Sequence, residues 1–157
     1  ALYRRFAPGD RGTPGAIAAM REGEPVGRRI APMIVGTTLL THLVGGSAGR
    51  EGTAIGMGAS LAELFRRVVP DPARLAAIGA AAGFAGVFGT PLAAVVFVAE
   101  AGRVRSAETG ALAALAAVLA DAVARRLGAP HTEFPSVPLA VDLRTVAVGL
   151  AAGATAA

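Results

Sequence analysis

The sequence predicts an all-α, polytopic membrane protein whose helices are broken, several of them too short to cross a bilayer. Three observations carry that expectation. Hydrophobic residues make up 54% of the 157, and the mean hydropathy is +0.57, above an ordinary soluble domain. Aromatic residues are only 4%, so the apolar content is mostly Ala, Leu, Val and Gly, and small side chains let helices approach closely in lipid. The apolar segments are short and interrupted by Gly and Pro, as discontinuous membrane helices are.

The elements follow in order. Residues 1–29 are polar and rich in Gly and Pro, with a short helical piece near Ala16–Arg21. An apolar run, "IAPMIVGTTLLTHLVGG", covers 30–46. The stretch 45–58, "GGSAGREGTAIGMG", then sets Arg50 and Glu51 side by side among glycines. Gly49 and Gly52 permit a tight backbone there, and a helix is expected from near Thr53 to Phe65. "VVPDPAR" is a turn. Residues 75–89, "LAAIGAAAGFAGVFG", run into 90–102, "TPLAAVVFVAEAG". Proline is tolerated in a first helical turn and biases the residue before it away from helix. One helix therefore ends near Phe88 and Gly89, and another starts at Thr90 and Pro91, with Thr90 as the cap. Residues 107–127 form the longest apolar helix. A Pro-rich link leads to a closing apolar run from Leu143.

Length decides what can span. At a helical rise of 1.5 Å per residue, 53–65 reaches roughly 20 Å, 75–89 about 22 Å and 90–101 about 18 Å. A hydrocarbon core is ~30 Å thick, so only 107–127, at roughly 31 Å, crosses it alone. A buried core of short helices in a soluble domain is the alternative.

Charge and composition exclude several classes. The net charge is +4, and all 15 basic residues are Arg. Arg4-Arg5, Arg28-Arg29, Arg66-Arg67 and Arg125-Arg126 border apolar segments, where arginine faces headgroups. No basic stripe is interleaved with aromatics, so nucleic acid is not an expected partner. With no cysteine, disulfides, Cys-ligated zinc and Cys nucleophiles are excluded. His42 and His131 lack metal-ligand spacing, so neither a metal nor a cofactor is expected. His42 reads as a packed or interfacial residue. "GGSAGREGT" lacks the Lys and spacing of a phosphate loop. Asp121 is expected to pair with Arg125 one helical turn on, Glu63 to lie near Arg66 and Arg67 on a headgroup face, and Glu100 to sit at a membrane edge. No signal peptide is visible. The chain opens without Met and closes in an apolar run, and both ends read as cut, giving one partial membrane domain over 1–157.

Two helix starts at membrane depth have a chemical meaning. Each carries unpaired N–H groups and roughly half a positive charge, which is costly in lipid unless something negative meets it. Such starts can make an anion site from partial charges, and these release an anion more readily than a buried arginine would. A carboxylate at one start, Glu51, can occupy the site in place of the anion, then lose its charge on protonation and swing out. The plainer alternative pairs Glu51 with Arg50 in a solvated loop, and residue physics leaves both open.

"GREGTAIGMGASLAELF" resembles the Gly-Arg/Lys-Glu-Gly-Pro motif of the CLC family of chloride channels and anion/proton antiporters. "GAAAGFAGVFGTPLAAVVFVAE" is similar to that family's next signature, a small-residue helix broken before a proline and ending in Glu. The two cover about 30–102, in the family's order. Thr53 stands where the family has proline, and "GREGT" with "FGTP" is most similar to the branch that exchanges fluoride for protons. The family's Gly-Ser-Gly-Ile-Pro anion motif is not recognisable, "FAPGDRGTPGAI" lying in its place. Ala101 occupies the place of a second, inner glutamate found in many chloride/proton members.

The resemblance implies part of the N-terminal half of an inverted-repeat, multi-pass transporter rather than an enzyme, in a bacterial plasma membrane. It implies fluoride/proton antiport, with a chloride channel or chloride/proton antiporter as the alternative. Partners would be fluoride or chloride, protons, the lipid bilayer and a second copy in a homodimer. Glu51 would be the gating, proton-carrying glutamate. Gly49, Arg50, Gly52 and Thr53 would shape the anion site, with Phe88, Gly89, Thr90 and Pro91 at the second break.

Overall fold

The computed structural model describes residues 11–129, 144–148 and 151. All regular structure among them is helical. Arg4-Arg5, His131, the Pro-rich link and most of the closing apolar run lie outside the described residues. The helices are α1 (Gly12–Glu22), α2 (Ile30–Leu43), α3 (Glu51–Ala62), α4 (Pro72–Phe88), α5 (Pro91–Ala101) and α6 (Ala107–Arg126), with a 3₁₀ turn at Glu63–Phe65.

Sequence chemistry sets the boundaries. The Asp71 carboxylate accepts from the N–H groups of Ala73 and Arg74, at 3.0 and 3.3 Å, with Pro72 in the first turn of α4. Gly89, at φ +67°, closes α4, its N–H bonding to the Ala85 carbonyl at 2.8 Å; a left-handed residue here favours glycine. Pro91 then opens α5, so the break lies where proline placed it. Thr90, however, gives no side-chain cap. Ser106 caps α6 through the Thr109 N–H at 3.4 Å. The helical piece expected near Ala16–Arg21 is longer, a full α1 ended by left-handed Gly23.

α4 is the centre of the fold and packs against α1, α3, α5 and α6. Its Ala76, Ala77, Ala80, Ala81 and Ala85 are all buried, and Ala113 and Ala117 of α6 join them. Alanine allows this because it occupies little space and loses no side-chain entropy on burial. The α3–α4 crossing is closer still: a methyl added at Gly58 would overlap the Gly79 carbonyl oxygen, and one at Gly83 the Ala54 carbonyl oxygen.

Among the described residues, α6 is the one helix long and apolar enough to cross a membrane, and 17% of its apolar window is buried. Leu115, Val118, Leu119 and Val123 on α6 are exposed, as are Leu39, Leu40 and Leu43 on α2.

Candidate anion site at two helix starts

α3 begins two residues earlier than the sequence predicts, at Glu51 rather than near Thr53. Thr53 shows why. Its hydroxyl turns back on the loop, within 3.0 Å of the Gly49 carbonyl and 2.8 Å of that of Arg50, drawing 49–53 into the first turn. The Ala54 N–H is the first to bond inside the helix, to the Arg50 carbonyl at 2.9 Å. The N–H groups of Glu51, Gly52 and Thr53 precede it and have no intrahelical partner. A proline at 53 would remove one of these donors.

The second helix at this place is α1, not α5. Thr13, in the first turn of α1, lies directly on Gly52, where a methyl group would overlap the Thr13 hydroxyl oxygen. The starts of α1 and α3 thus converge, with Gly52 as the point of close approach. A cleft of about 380 Å³ opens there, lined by Gly12, Thr13, Gly49, Gly52 and Thr53, with Thr37 and Thr38 of α2. Helix starts and their backbone N–H groups suit a small anion, while the Thr37 and Thr53 hydroxyls donate to backbone carbonyls of their own helices and loops. A larger apolar cleft of about 480 Å³ runs along the other side of α3, from Arg50 and Thr53 to Leu61 and Phe65. Thr53 and Gly56 sit at the boundary between α3 and its neighbours, Thr53 touching both clefts.

Glu51 is exposed, and it does not line the cleft that its own helix start forms. Among the described residues it has no ion pair, so the Arg50–Glu51 pair of the plainer reading is not formed. Phe88, Gly89, Thr90 and Pro91 line neither cleft. Phe88 instead packs on Phe84, ring centroids 4.8 Å apart. The Arg125 guanidinium, held by Asp121 at 3.0 Å as expected, reaches the Gly89 carbonyl at 3.4 Å.

Sequence reasoning missed Gly12, Thr13, Thr37 and Thr38. The available signal was Pro14, which marks a first helical turn, and the echo of "RGT" at 11–13 in "REGT" at 50–53. Glu63 departs from expectation as well. It is buried, not on a headgroup face, and its two oxygens hold Arg66, one at 2.6 Å and the other at 2.8 Å, while Arg67 is left out. His42, expected to be packed or interfacial, is exposed and donates from Nδ1 to the Thr38 carbonyl at 2.7 Å.

The family described as voltage gated chloride channel matches residues 1–157. This chain belongs to the CLC family. Among CLC relatives, the chloride/fluoride channel protein of Pseudomonas syringae pv. tomato is 38% identical over 81% of this chain and 30% of its own length. The H(+)/Cl(-) exchange transporter ClcA of Yersinia pestis bv. Antiqua is 38% identical over 63% of the chain and 22% of its own. ClcA of Cronobacter sakazakii is 37% identical over 63% and 23%. The chain spans less than a third of the length of these CLC relatives. No solved structure matches it.

Proposed function

We propose that the protein containing this chain is a CLC-type fluoride/proton antiporter, with Glu51 as gate and proton carrier. The observation that carries this is the convergence of the α1 and α3 starts on a threonine-lined cleft, with Glu51 in the first turn of α3 and Thr53 in place of proline. In this reading the N–H groups of the α3 start and the hydroxyl of Thr13 donate to the anion, the Thr53 hydroxyl being engaged by the Gly49 and Arg50 carbonyls. Fluoride, small and strongly hydrogen-bonding, gains most from the extra Thr53 N–H. The Glu51 carboxylate competes for the same donors. On taking up a proton it loses its claim on them and rotates away, as its exposed position permits. Exchange follows because anion and carboxylate alternate at one place. The whole protein is a homodimer in the bacterial plasma membrane, each subunit completing its pore with a second half.

A second reading, a chloride channel or chloride/proton exchanger, draws on the exchangers among the relatives. Ala101 at the inner-glutamate position and Thr53 weigh against it.

The test is transport by the full-length protein in liposomes, followed with fluoride, chloride and proton electrodes. Fluoride efflux is expected to exceed chloride efflux and to drive proton uptake. Glu51→Gln keeps the size of the side chain and removes its titration, so proton uptake should vanish, while Arg50→Gln leaves it in place. Coupling that survives in Glu51→Gln defeats the mechanism; chloride efflux as fast as fluoride favours the second reading.

A further inference from the structure

An arginine precedes the start of α1, beside the anion cleft but not lining it. Arg11 is the residue before α1, directly preceding the Gly12 and Thr13 that line the anion cleft. A cation at a helix start is unfavourable, and α1 has no acidic residue in its first turn. Arg11 instead forms an ion pair with Glu24, thirteen residues on and just past the end of α1. α1 has eleven residues and rises about 16 Å over them. The pair therefore draws the guanidinium along the side of α1, away from its start. Gly15 makes room for this: a methyl there would stand 3.1 Å from the Arg11 Cβ. Left-handed Gly23 turns the chain at the far end. Arg11 and Glu24 line a smaller cleft of about 190 Å³, and Gly12 and Gly56 line both it and the anion cleft, so the two adjoin.

We propose that Glu24 holds the Arg11 guanidinium off the start of α1, so that the anion meets helix partial charges rather than a full cation, and that freeing the guanidinium from Glu24 raises anion affinity. The inference rests on the transport reading above and adds a residue pair to it. A full positive charge at the cleft would tighten anion binding and slow release, a poor exchange for a protein that must let its ion go. The two side chains are 55% and 46% exposed, and exposed pairs of this kind hold weakly. The arrangement is thus adjustable without disturbing the buried core.

The experiment measures anion efflux against anion concentration for the full-length protein in liposomes. Glu24→Gln leaves Arg11 charged and unheld. Its half-saturating fluoride concentration should fall about threefold or more, the scale of one partly screened charge contact, and its maximal rate should fall as release slows. Arg11→Gln and the Arg11→Gln/Glu24→Gln double variant remove the cation and should both stay near wild type. If the pair were only a staple of the fold, Arg11→Gln and Glu24→Gln would do equal damage, and that result overturns the proposal. So does an unchanged half-saturation in Glu24→Gln. Glu24→Asp, one methylene shorter, gives a milder version of the same shift should Glu24→Gln fail to assemble. A wild-type protein that carries no anion sinks the transport reading and this inference together, whereas transport with unaltered Glu24→Gln kinetics sinks this one alone.

Discussion

Ser60 shows what one side chain does for the site. It lies on α3, fully buried, and its hydroxyl accepts from the Ala31 N–H at 3.0 Å while donating to the Gly27 carbonyl at 2.8 Å. Ala31 is in the first turn of α2, whose N–H groups lack helical partners; Ser60 thus caps a neighbouring helix from the side. Thr37 and Thr38 of that helix line the anion cleft, so the bond fixes one wall of it. Ser60→Ala leaves the buried Ala31 N–H unsatisfied, whereas the exposed Gly27 carbonyl keeps its bond from the Ile30 N–H, and should cost about 1–3 kcal/mol. The expected sign is a lower thermal midpoint for the detergent-solubilised full-length protein. An unchanged midpoint would mean that the bond contributes nothing net. Thr53 acts at the same scale, its hydroxyl satisfying two carbonyls of the 49–53 loop. That contact was not legible beforehand, because a threonine in a glycine run has many carbonyls in reach and only the folded loop selects two.

At the scale of elements, the α3–α4 crossing decides how the α3 start is held. Gly58 and Gly79 face each other so closely that a methyl on either would overlap the other's carbonyl oxygen. The obstruction is backbone, which cannot rotate away as a side chain does. Gly79→Val should therefore exceed the ~1–3 kcal/mol of ordinary overpacking, and the full-length protein should lose its monodisperse peak in size exclusion. Gly110→Ala on α6 is the control: nothing lies within 4 Å of the added methyl, and alanine favours a helix over glycine by roughly 0.8–1.0 kcal/mol. Equal recovery of both variants would show that the crossing tolerates a wider spacing. The helix breaks were legible because glycine and proline act locally. The partner of α3 at its start was not. Two breaks stood out in the sequence, and the structure pairs the α3 start with α1, whose own start lies in a polar stretch.

For the whole molecule, the described helices bury alanine inside and leave leucine and valine outside. Leu39, Leu40, Leu43, Leu115 and Leu119 are more than half exposed, an arrangement suited to lipid or to further protein in the membrane. The chain should accordingly partition into membranes and require detergent for extraction. A monodisperse monomer in plain buffer would refute this. The same reasoning places the buried Glu63 carboxylate, paired with partly exposed Arg66, inside the protein rather than in its lipid-facing surface, since a buried charge is tolerated when it is paired and hydrogen-bonded.

The sequence alone determined the all-helical class, the helix break at Gly89 and Pro91, the Asp121–Arg125 pair and the placing of Glu51 at a helix start. Each depends on residues near one another in the chain: hydropathy over a segment, a proline in a first turn, charges one helical turn apart. Only the tertiary structure decided that α1 meets α3 at Gly52, that Thr13, Thr37 and Thr38 line the resulting cleft, that Glu63 is buried, and that Glu24 reaches Arg11. These contacts join residues as much as 39 positions apart, from Thr13 to Gly52. They follow from how small residues let helices approach, and that approach is a property of packed surfaces rather than of any one segment.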